Sequence, residues 1–150
     1  MIIISFANRK GGVGKTTLTR ELGIYLSSTG RSVLLIDLDA QGNLTKSLPV
    51  KDAENAAVYD AIEGIEVKPA KIFDAMELFL LTSDLRLSNL EKTLVGELDG
   101  CVRLKEALER EDFTGYEYIL IDSPPSLGML SVNALAASGY FVIPMNPAQY

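Results

Sequence analysis

A glycine-rich loop between a predicted strand and a predicted helix constrains this chain more than any other feature. The loop covers residues 10–17 and reads KGGVGKTT. An apolar stretch over residues 2–7, interrupted only by Ser5, precedes the loop and is typical of a buried parallel strand. Apolar residues at helical spacing follow it and predict a helix over residues 17–28, which stops before Gly30. Strand, glycine loop and helix in this order form the setting in which backbone N–H groups bind phosphate.

The residue types in the loop suit the parts of a nucleotide. Glycines let the backbone curl so that successive N–H groups point at phosphate oxygens. Lys15 is placed to reach the β- and γ-phosphates, the Thr16 hydroxyl to ligate Mg²⁺, and Thr17 to donate to the α-phosphate. The strict pattern G-x-x-x-x-G-K-[ST] is not met, because position 9 is Arg9. The competing interpretation is a glycine-rich turn with an incidental lysine, which the flanking strand and helix disfavour. We expect the cofactor-binding residues to be Lys10, Gly11, Gly12, Val13, Gly14, Lys15, Thr16 and Thr17.

The remaining chain alternates apolar runs with helical patterns. Predicted strands lie at 33–36, 78–81, 118–121 and 140–143, and predicted helices at 56–62, 102–110 and 127–138. Another helical face is carried by Leu87, Leu90, Leu94 and Leu98. This alternation implies βαβ crossovers and a mostly parallel sheet covered on both faces, so the fold class is α/β. The stretch 49–69 is the least patterned and is expected to hold surface loops.

Aspartates follow two of the predicted strands. Asp37 and Asp39 end the second apolar run, and Asp122 ends the fourth. In open α/β sheets, ligands bind beyond the carboxyl ends of the strands. We therefore expect these carboxylates to meet the glycine loop at one edge of the sheet. Each aspartate alone is a weak signal, because acidic turn residues often cap the end of a buried strand.

Residues 10–17 resemble the deviant Walker A motif of the ParA/MinD family of ATPases, in which Lys10 matches the signature lysine. The resemblance implies a P-loop NTPase fold of three αβα layers that binds ATP and Mg²⁺. It also implies that Lys10 reaches the partner's phosphates across an ATP-sandwich homodimer, in the manner of an arginine finger. The alternative for Lys10 is an ordinary solvated loop lysine.

Three further segments carry the same resemblance. Residues 33–39 with 41–43 resemble the second motif and switch I, which implies that Asp39 orients the attacking water and Asp37 supports the water shell of Mg²⁺. Residues 118–122 resemble a Walker B strand whose Asp122 binds a magnesium-bound water, and residues 123–128 resemble switch II. The expected catalytic residues are Lys10, Lys15 and Asp39, and the expected metal-binding residues are Thr16, Asp37 and Asp122. Ala40 departs from the family pattern, which typically has proline there.

The likeness covers nearly the whole chain and is closer to ParA (Soj-like) chromosome and plasmid partition ATPases than to MinD. It implies a slowly hydrolysing ATP switch that forms a homodimer on ATP binding and binds non-specific DNA. It also implies a centromere-binding, ParB-type partner and a cytoplasmic, nucleoid-associated location without membrane binding. Family members normally continue further, so we expect residues 1–150 to be the N-terminal part of a single domain, truncated on its C-terminal side.

Composition limits the alternatives. The net charge is −6, which argues against a generally basic surface for nucleic acid. No apolar run approaches the ~20 residues that a membrane span requires. Cys101 is the only cysteine and there is no histidine, so neither an internal disulfide nor a structural zinc site is expected. A MinD-like membrane-associated positioning ATPase, an ATP-dependent biosynthetic enzyme of the same fold and a non-catalytic nucleotide-binding fragment stay open as alternatives.

Overall fold

One six-stranded sheet organises the computed structural model, which describes residues 1–147. Its strands in chain order are β1 (Ile2–Phe6), β2 (Val33–Asp37), β3 (Ala70–Lys71), β4 (Leu78–Leu81), β5 (Tyr118–Asp122) and β6 (Tyr140–Val142). They lie across the sheet in the order β3-β4-β2-β5-β1-β6. Every neighbouring pair is parallel except β3 and β4, which are antiparallel. The predicted α/β class and mostly parallel sheet are confirmed.

Helices cover both faces of the sheet. They are α1 (Lys15–Ser28), α2 (Asn43–Lys46), α3 (Val58–Ile62), α4 (Leu87–Leu94), α5 (Arg103–Leu108) and α6 (Met129–Ala137), with a short 3₁₀ turn at Glu111–Phe113. Side chains of α1 and α2 pack in one apolar cluster with Leu35, Leu80 and Leu120. Side chains of α3 to α6 pack in a second cluster with Leu34 and Ile36. The three αβα layers follow from these two clusters, because β2 is buried on both faces.

The register of the central strands brings their carboxyl ends level. Asp37 of β2 is opposite Asp122 of β5, and Asp122 is also opposite Phe6 of β1. The backbone N–H of Leu38 donates to the Asp122 carbonyl oxygen at 3.0 Å. The segments that follow β1, β2 and β5 therefore leave the sheet side by side, as the sequence predicts.

Several element boundaries differ from the prediction. Helix α1 begins at Lys15, two residues earlier than expected, because Gly14 already ends the loop. The prediction that the helical face extends to Leu98 is wrong, because α4 ends at Leu94 and Leu98 is fully exposed. Neither α2 nor β3 was predicted, since four and two residues are too short to display a period.

Among the described residues, no helix combines the length and apolar character needed to cross a membrane.

Candidate functional site

The loop between β1 and α1 has the conformation of an anion cradle. Gly12 and Gly14 have φ values of 72° and 93°, a left-handed region that L side chains rarely adopt. Helix α1 begins after Gly14 with no side-chain cap and no acidic residue in its first turn. Its first N–H groups and the positive end of its dipole are therefore directed at whatever lies in front of the loop. This geometry favours a phosphate.

A cavity of about 410 Å³ opens in front of this loop. It lies at the carboxyl ends of β1, β2 and β5, and is lined by Gly11, Gly12, Gly14, Lys15, Thr16, Thr17, Asp39, Asn43, Ser123 and Pro125. Of the predicted cofactor-binding residues, only Lys10 and Val13 do not line it. Lys10 is exposed at the rim, whereas Val13 is buried beneath the loop.

A larger cavity, of about 730 Å³, lies at the opposite edge of the sheet beside β3. Its walls mix lysines with acidic and apolar side chains, and it contains none of the predicted site residues. We place the candidate site in the smaller cavity, because the loop geometry and the helix dipole converge there.

Asn8 holds the base of the loop. Its side-chain oxygen accepts the backbone N–H of Lys10 at 2.9 Å, and its side-chain nitrogen donates to the Pro144 carbonyl oxygen at 2.7 Å. The buried Lys15 ammonium donates to the Asn8 carbonyl oxygen at 3.1 Å. Asn8 was not predicted as a site residue; its only signal in the sequence is its position shortly before a glycine turn, where Asx turns are common.

Thr16, which lines the cavity, is hydrogen-bonded to the buried Asp122. The Thr16 hydroxyl donates to Asp122 Oδ2 at 2.6 Å, while Asp122 Oδ1 is buried without a hydrogen-bond partner among the described residues. Burial raises the pKa of Asp122 to about 7; the charges of Asp37 and Asp39 also raise it, and the Thr16 hydrogen bond and Lys15 oppose the rise. An orphaned carboxylate oxygen beside a threonine hydroxyl suits a hydrated Mg²⁺.

Asp37 is buried and organises the segment after β2. Its Oδ2 accepts both the backbone N–H and the hydroxyl of Thr45 at 2.8 Å, and its Oδ1 accepts the backbone N–H of Asp39 at 3.2 Å. Burial raises the pKa of Asp37 and the Asp39 charge adds to the rise, while these hydrogen bonds lower the pKa. Both carboxylate oxygens are therefore engaged by the protein, and a role toward magnesium stays a prediction.

Asp39 lines the same cavity as the loop and is half-buried. Its Oδ1 accepts the backbone N–H of Gln41 at 3.0 Å. The chain then turns through Gly42, whose φ is 64°, into α2. The predicted switch I segment thus forms one wall of the cavity, and Asn43 joins it there.

The segment after β5 forms the remaining wall. The buried Ser123 donates its hydroxyl to the Phe6 carbonyl oxygen at 2.7 Å, which ties this segment to the end of β1. Ser131 of α6 donates to the Ser126 carbonyl oxygen at 2.7 Å. This segment was predicted to be switch II by resemblance, but neither Ser123 nor Pro125 was predicted to belong to the site.

Within residues 1–147, no three histidine, cysteine, aspartate or glutamate side chains are grouped closely enough to hold a metal ion. Mg²⁺ in nucleotide sites usually takes one or two protein carboxylates, several waters and phosphate oxygens. Thr16 and Asp122 can supply the protein ligands of such a site.

Comparisons with known proteins place the chain among its relatives. The AAA domain family model matches residues 1–150. The sporulation initiation inhibitor protein Soj of Bacillus subtilis is 41% identical over 155 residues, which cover 99% of this chain and 59% of that protein. The chromosome-partitioning ATPase Soj of Thermus thermophilus is 42% identical over 151 residues, which cover 98% of this chain and 55% of that protein.

Among solved structures, cobyrinic acid a,c-diamide synthase from Mycobacterium smegmatis with bound ATP analogue and magnesium is similar with a TM-score of 0.85. It is 35% identical, and the match covers 97% of this chain and 60% of that one. The chain therefore spans between 55% and 60% of the length of these three proteins.

Proposed function

The chain belongs to the ParA/MinD family of AAA-domain ATPases, and from this premise we propose that it binds Mg·ATP at residues 10–17 and hydrolyses it slowly as a molecular switch. The observation that carries the proposal is the uncapped N-terminus of α1 with Lys15, Thr16 and the orphaned Asp122 Oδ1 around it. A magnesium-bound triphosphate would supply a charged or hydrated partner to each of these groups.

Different residues of the site would bind the phosphates and the magnesium. Backbone N–H groups of the loop donate hydrogen bonds to the phosphate oxygens. The Lys15 ammonium gives up its hydrogen bond to the Asn8 carbonyl oxygen and binds the β- and γ-phosphates instead. Thr16 would hold the magnesium directly and Asp122 through a bound water. When bound, Mg²⁺ neutralises charge that develops on the phosphates.

Hydrolysis needs an oriented water. Asp39 lines the same cavity as the loop, and we infer that its carboxylate accepts a hydrogen bond from a water in line with the γ-phosphate. Lys10 is exposed at the rim and does not line its own cavity, which fits a lysine that acts in a second protomer. We propose that ATP forms a sandwich between two copies of the chain.

The wider role is proposed from the relatives. Both of the relatives described above are named Soj, and one of them is named a chromosome-partitioning ATPase. We propose that the ATP-bound dimer binds non-specific DNA, that a ParB-type partner stimulates hydrolysis, and that the protein is cytoplasmic and nucleoid-associated. The net charge of −6 lends no support to DNA binding by these 150 residues themselves.

A biosynthetic ATPase is the second candidate, favoured by the likeness to cobyrinic acid a,c-diamide synthase. Such an enzyme would couple ATP cleavage to an acceptor substrate, whereas a switch hydrolyses ATP with water alone. ATP turnover in the absence of any acceptor, together with salt-sensitive retention on DNA, separates the two candidates.

The first test is Mg·ATP binding by calorimetry on the chain, with Lys15→Ala and the exposed, remote Lys51→Ala as a matched pair. We expect Lys15→Ala to weaken binding at least roughly 100-fold, because it removes a charged hydrogen bond to phosphate in a partly desolvated site. Lys51→Ala should leave affinity unchanged. Equal affinity in the two variants would contradict the phosphate-loop assignment.

The second test addresses the sandwich. Light scattering with Mg·ATP should detect dimers for the wild-type chain, and Lys10→Ala should bind ATP normally but lose dimer-linked hydrolysis. ATP binding should be normal because Lys10 is exposed and does not line its own cavity. Dimer-linked hydrolysis should be lost because Lys10 is proposed to act on the phosphates of the second protomer. Unchanged dimerisation and rate in Lys10→Ala would count against a role in trans.

A further inference from the structure

Ser83, two residues beyond the end of β4, contacts the loop that carries Asp39. Its hydroxyl donates to the Asp39 carbonyl oxygen, and its backbone N–H donates to the Thr45 hydroxyl oxygen at 3.1 Å. The Thr45 hydroxyl donates to Asp37 Oδ2 at 2.8 Å, and Asp37 Oδ1 accepts the backbone N–H of Asp39 at 3.2 Å. These four residues form a closed circuit of hydrogen bonds that begins and ends at Asp39.

The circuit holds the backbone on both sides of the Asp39 side chain. The N–H of Asp39 is bound to Asp37, and its carbonyl oxygen accepts from Ser83 and from the backbone N–H of Gly42 at 2.8 Å. Strand β2 ends at Asp37 and cannot fix Asp39 by sheet pairing. The direction of the Asp39 carboxylate therefore depends on these individual hydrogen bonds and not on sheet pairing, and Ser83 supplies one of them from beyond the end of the neighbouring strand β4.

We propose that Ser83 is a positioning residue for ATP hydrolysis, which acts by orienting Asp39 toward the attacking water. The inference rests on the proposed function. Ser83 does not line the cavity, so it acts through Asp39 and not on the nucleotide. Displacement of a water-orienting group by a fraction of an ångström lowers the rate of the chemical step while leaving the phosphate contacts of the loop intact.

The test compares Ser83→Ala with Ser83→Thr, which keeps the hydroxyl. Ser83→Ala should fold, because the Asp39 carbonyl oxygen keeps the Gly42 N–H and the N–H of residue 83 still reaches Thr45. We expect kcat to fall roughly tenfold in Ser83→Ala with the Kd for Mg·ATP within about twofold of wild type, and Ser83→Thr to restore the rate. Ser47→Ala is the matched control, since Ser47 donates to the Leu44 carbonyl oxygen in the same region but outside the circuit.

A second measurement separates positioning from general damage. In an Asp39→Ala background, adding Ser83→Ala should leave the residual single-turnover rate unchanged, because the group that Ser83 orients is already gone. A wild-type rate in Ser83→Ala, or a further loss in the Asp39→Ala background, would overturn this inference and leave the proposed function standing. A wild-type chain that binds Mg·ATP without any hydrolysis would overturn both.

Discussion

At the residue scale, the site concentrates negative charge in a small buried volume. Asp37 and Asp122 occupy opposed positions on neighbouring strands, and both are buried. Asp37 satisfies its two oxygens through Thr45 and Asp39, whereas Asp122 has one oxygen without a partner among the described residues. The desolvation cost of ionising Asp122 outweighs the Thr16 hydrogen bond and the Lys15 charge, and it is the main reason for the raised pKa of Asp122. A divalent ion bound with the phosphates would therefore stabilise the folded site.

The raised pKa of Asp122 predicts that the stability of the metal-free chain depends on pH. The pKa of Asp122 is about 7 in the folded chain against an ordinary value of 3.8, so between these pH values the native state binds more protons than the unfolded state. The free energy of unfolding should therefore fall as pH rises from about 4 to 7 and level off above 7. The contribution is at most about 4 kcal/mol, since one pKa unit corresponds to about 1.4 kcal/mol.

Urea unfolding in EDTA at pH 5 and pH 8 measures this effect, with Asp122→Asn as the test variant. The introduced amide would carry no charge but could still accept the Thr16 hydroxyl, so the variant should gain more stability relative to wild type at pH 8 than at pH 5. Asp74→Asn, at an exposed position, is the control and should follow the wild-type pH profile. Parallel profiles for wild type and Asp122→Asn would refute the link to this carboxyl.

Sequence patterns identify some site residues and miss others for a physical reason. Lys15 and Thr16 are predictable because their task depends on their distance from loop glycines a few positions away. Asn8 and Ser123 act through contacts with Pro144 and Phe6, which are 136 and 117 positions distant in the chain. Such contacts exist only once the sheet has formed, so the local sequence indicates at most an Asx turn at Asn8 and does not reveal the distant contacts.

At the element scale, the sheet and its long helices were predictable because their apolar periods are long and buried. The errors fall where turns decide the structure. Helix α4 ends at Leu94, and the chain folds back so closely at Gly100 that a Cβ there would lie 2.0 Å from the Leu94 carbonyl oxygen. The Gly100 carbonyl oxygen then accepts the buried Asn133 side chain at 2.7 Å, and Asn133 Oδ1 accepts the Leu104 backbone N–H at 3.0 Å. One asparagine of α6 thereby fixes the turn between α4 and α5.

The close approach at Gly100 predicts that alanine destabilises the chain there but not at Gly115. Gly100→Ala should lower the free energy of unfolding by about 1–3 kcal/mol, because the added methyl meets backbone that cannot rotate away. Gly115→Ala is the control, since no atom lies within 4 Å of a Cβ there and its φ is not positive. Urea denaturation of both variants provides the comparison. Equal stabilities would indicate that the α4–α5 turn relaxes without cost.

At the scale of the whole molecule, the two edges of the sheet differ. The β3 edge is two residues long and antiparallel to β4, and Lys71 at this edge pairs with Glu77 at 2.8 Å. At the other edge, β6 pairs with β1 on its inner side, and no strand among residues 1–147 pairs with its outer side. All three β6 side chains are exposed, as are Ile143 and Met145 beyond them. That residues 1–150 form the N-terminal part of one domain stays a prediction.

An apolar strand with free backbone groups on one side is a template for association. We therefore expect the 150-residue chain to self-associate with rising concentration in the absence of nucleotide, as measured by sedimentation velocity. Phe141→Lys should shift this equilibrium toward monomer, because a charged edge residue opposes strand pairing. Leu98→Lys replaces an exposed apolar residue in the turn between α4 and α5, away from the β6 edge, and should have no effect. If the chain stays monomeric at high concentration, or if both lysine variants have the same effect, the β6 edge does not drive association. Any dimer that forms with Mg·ATP would then not depend on the β6 edge.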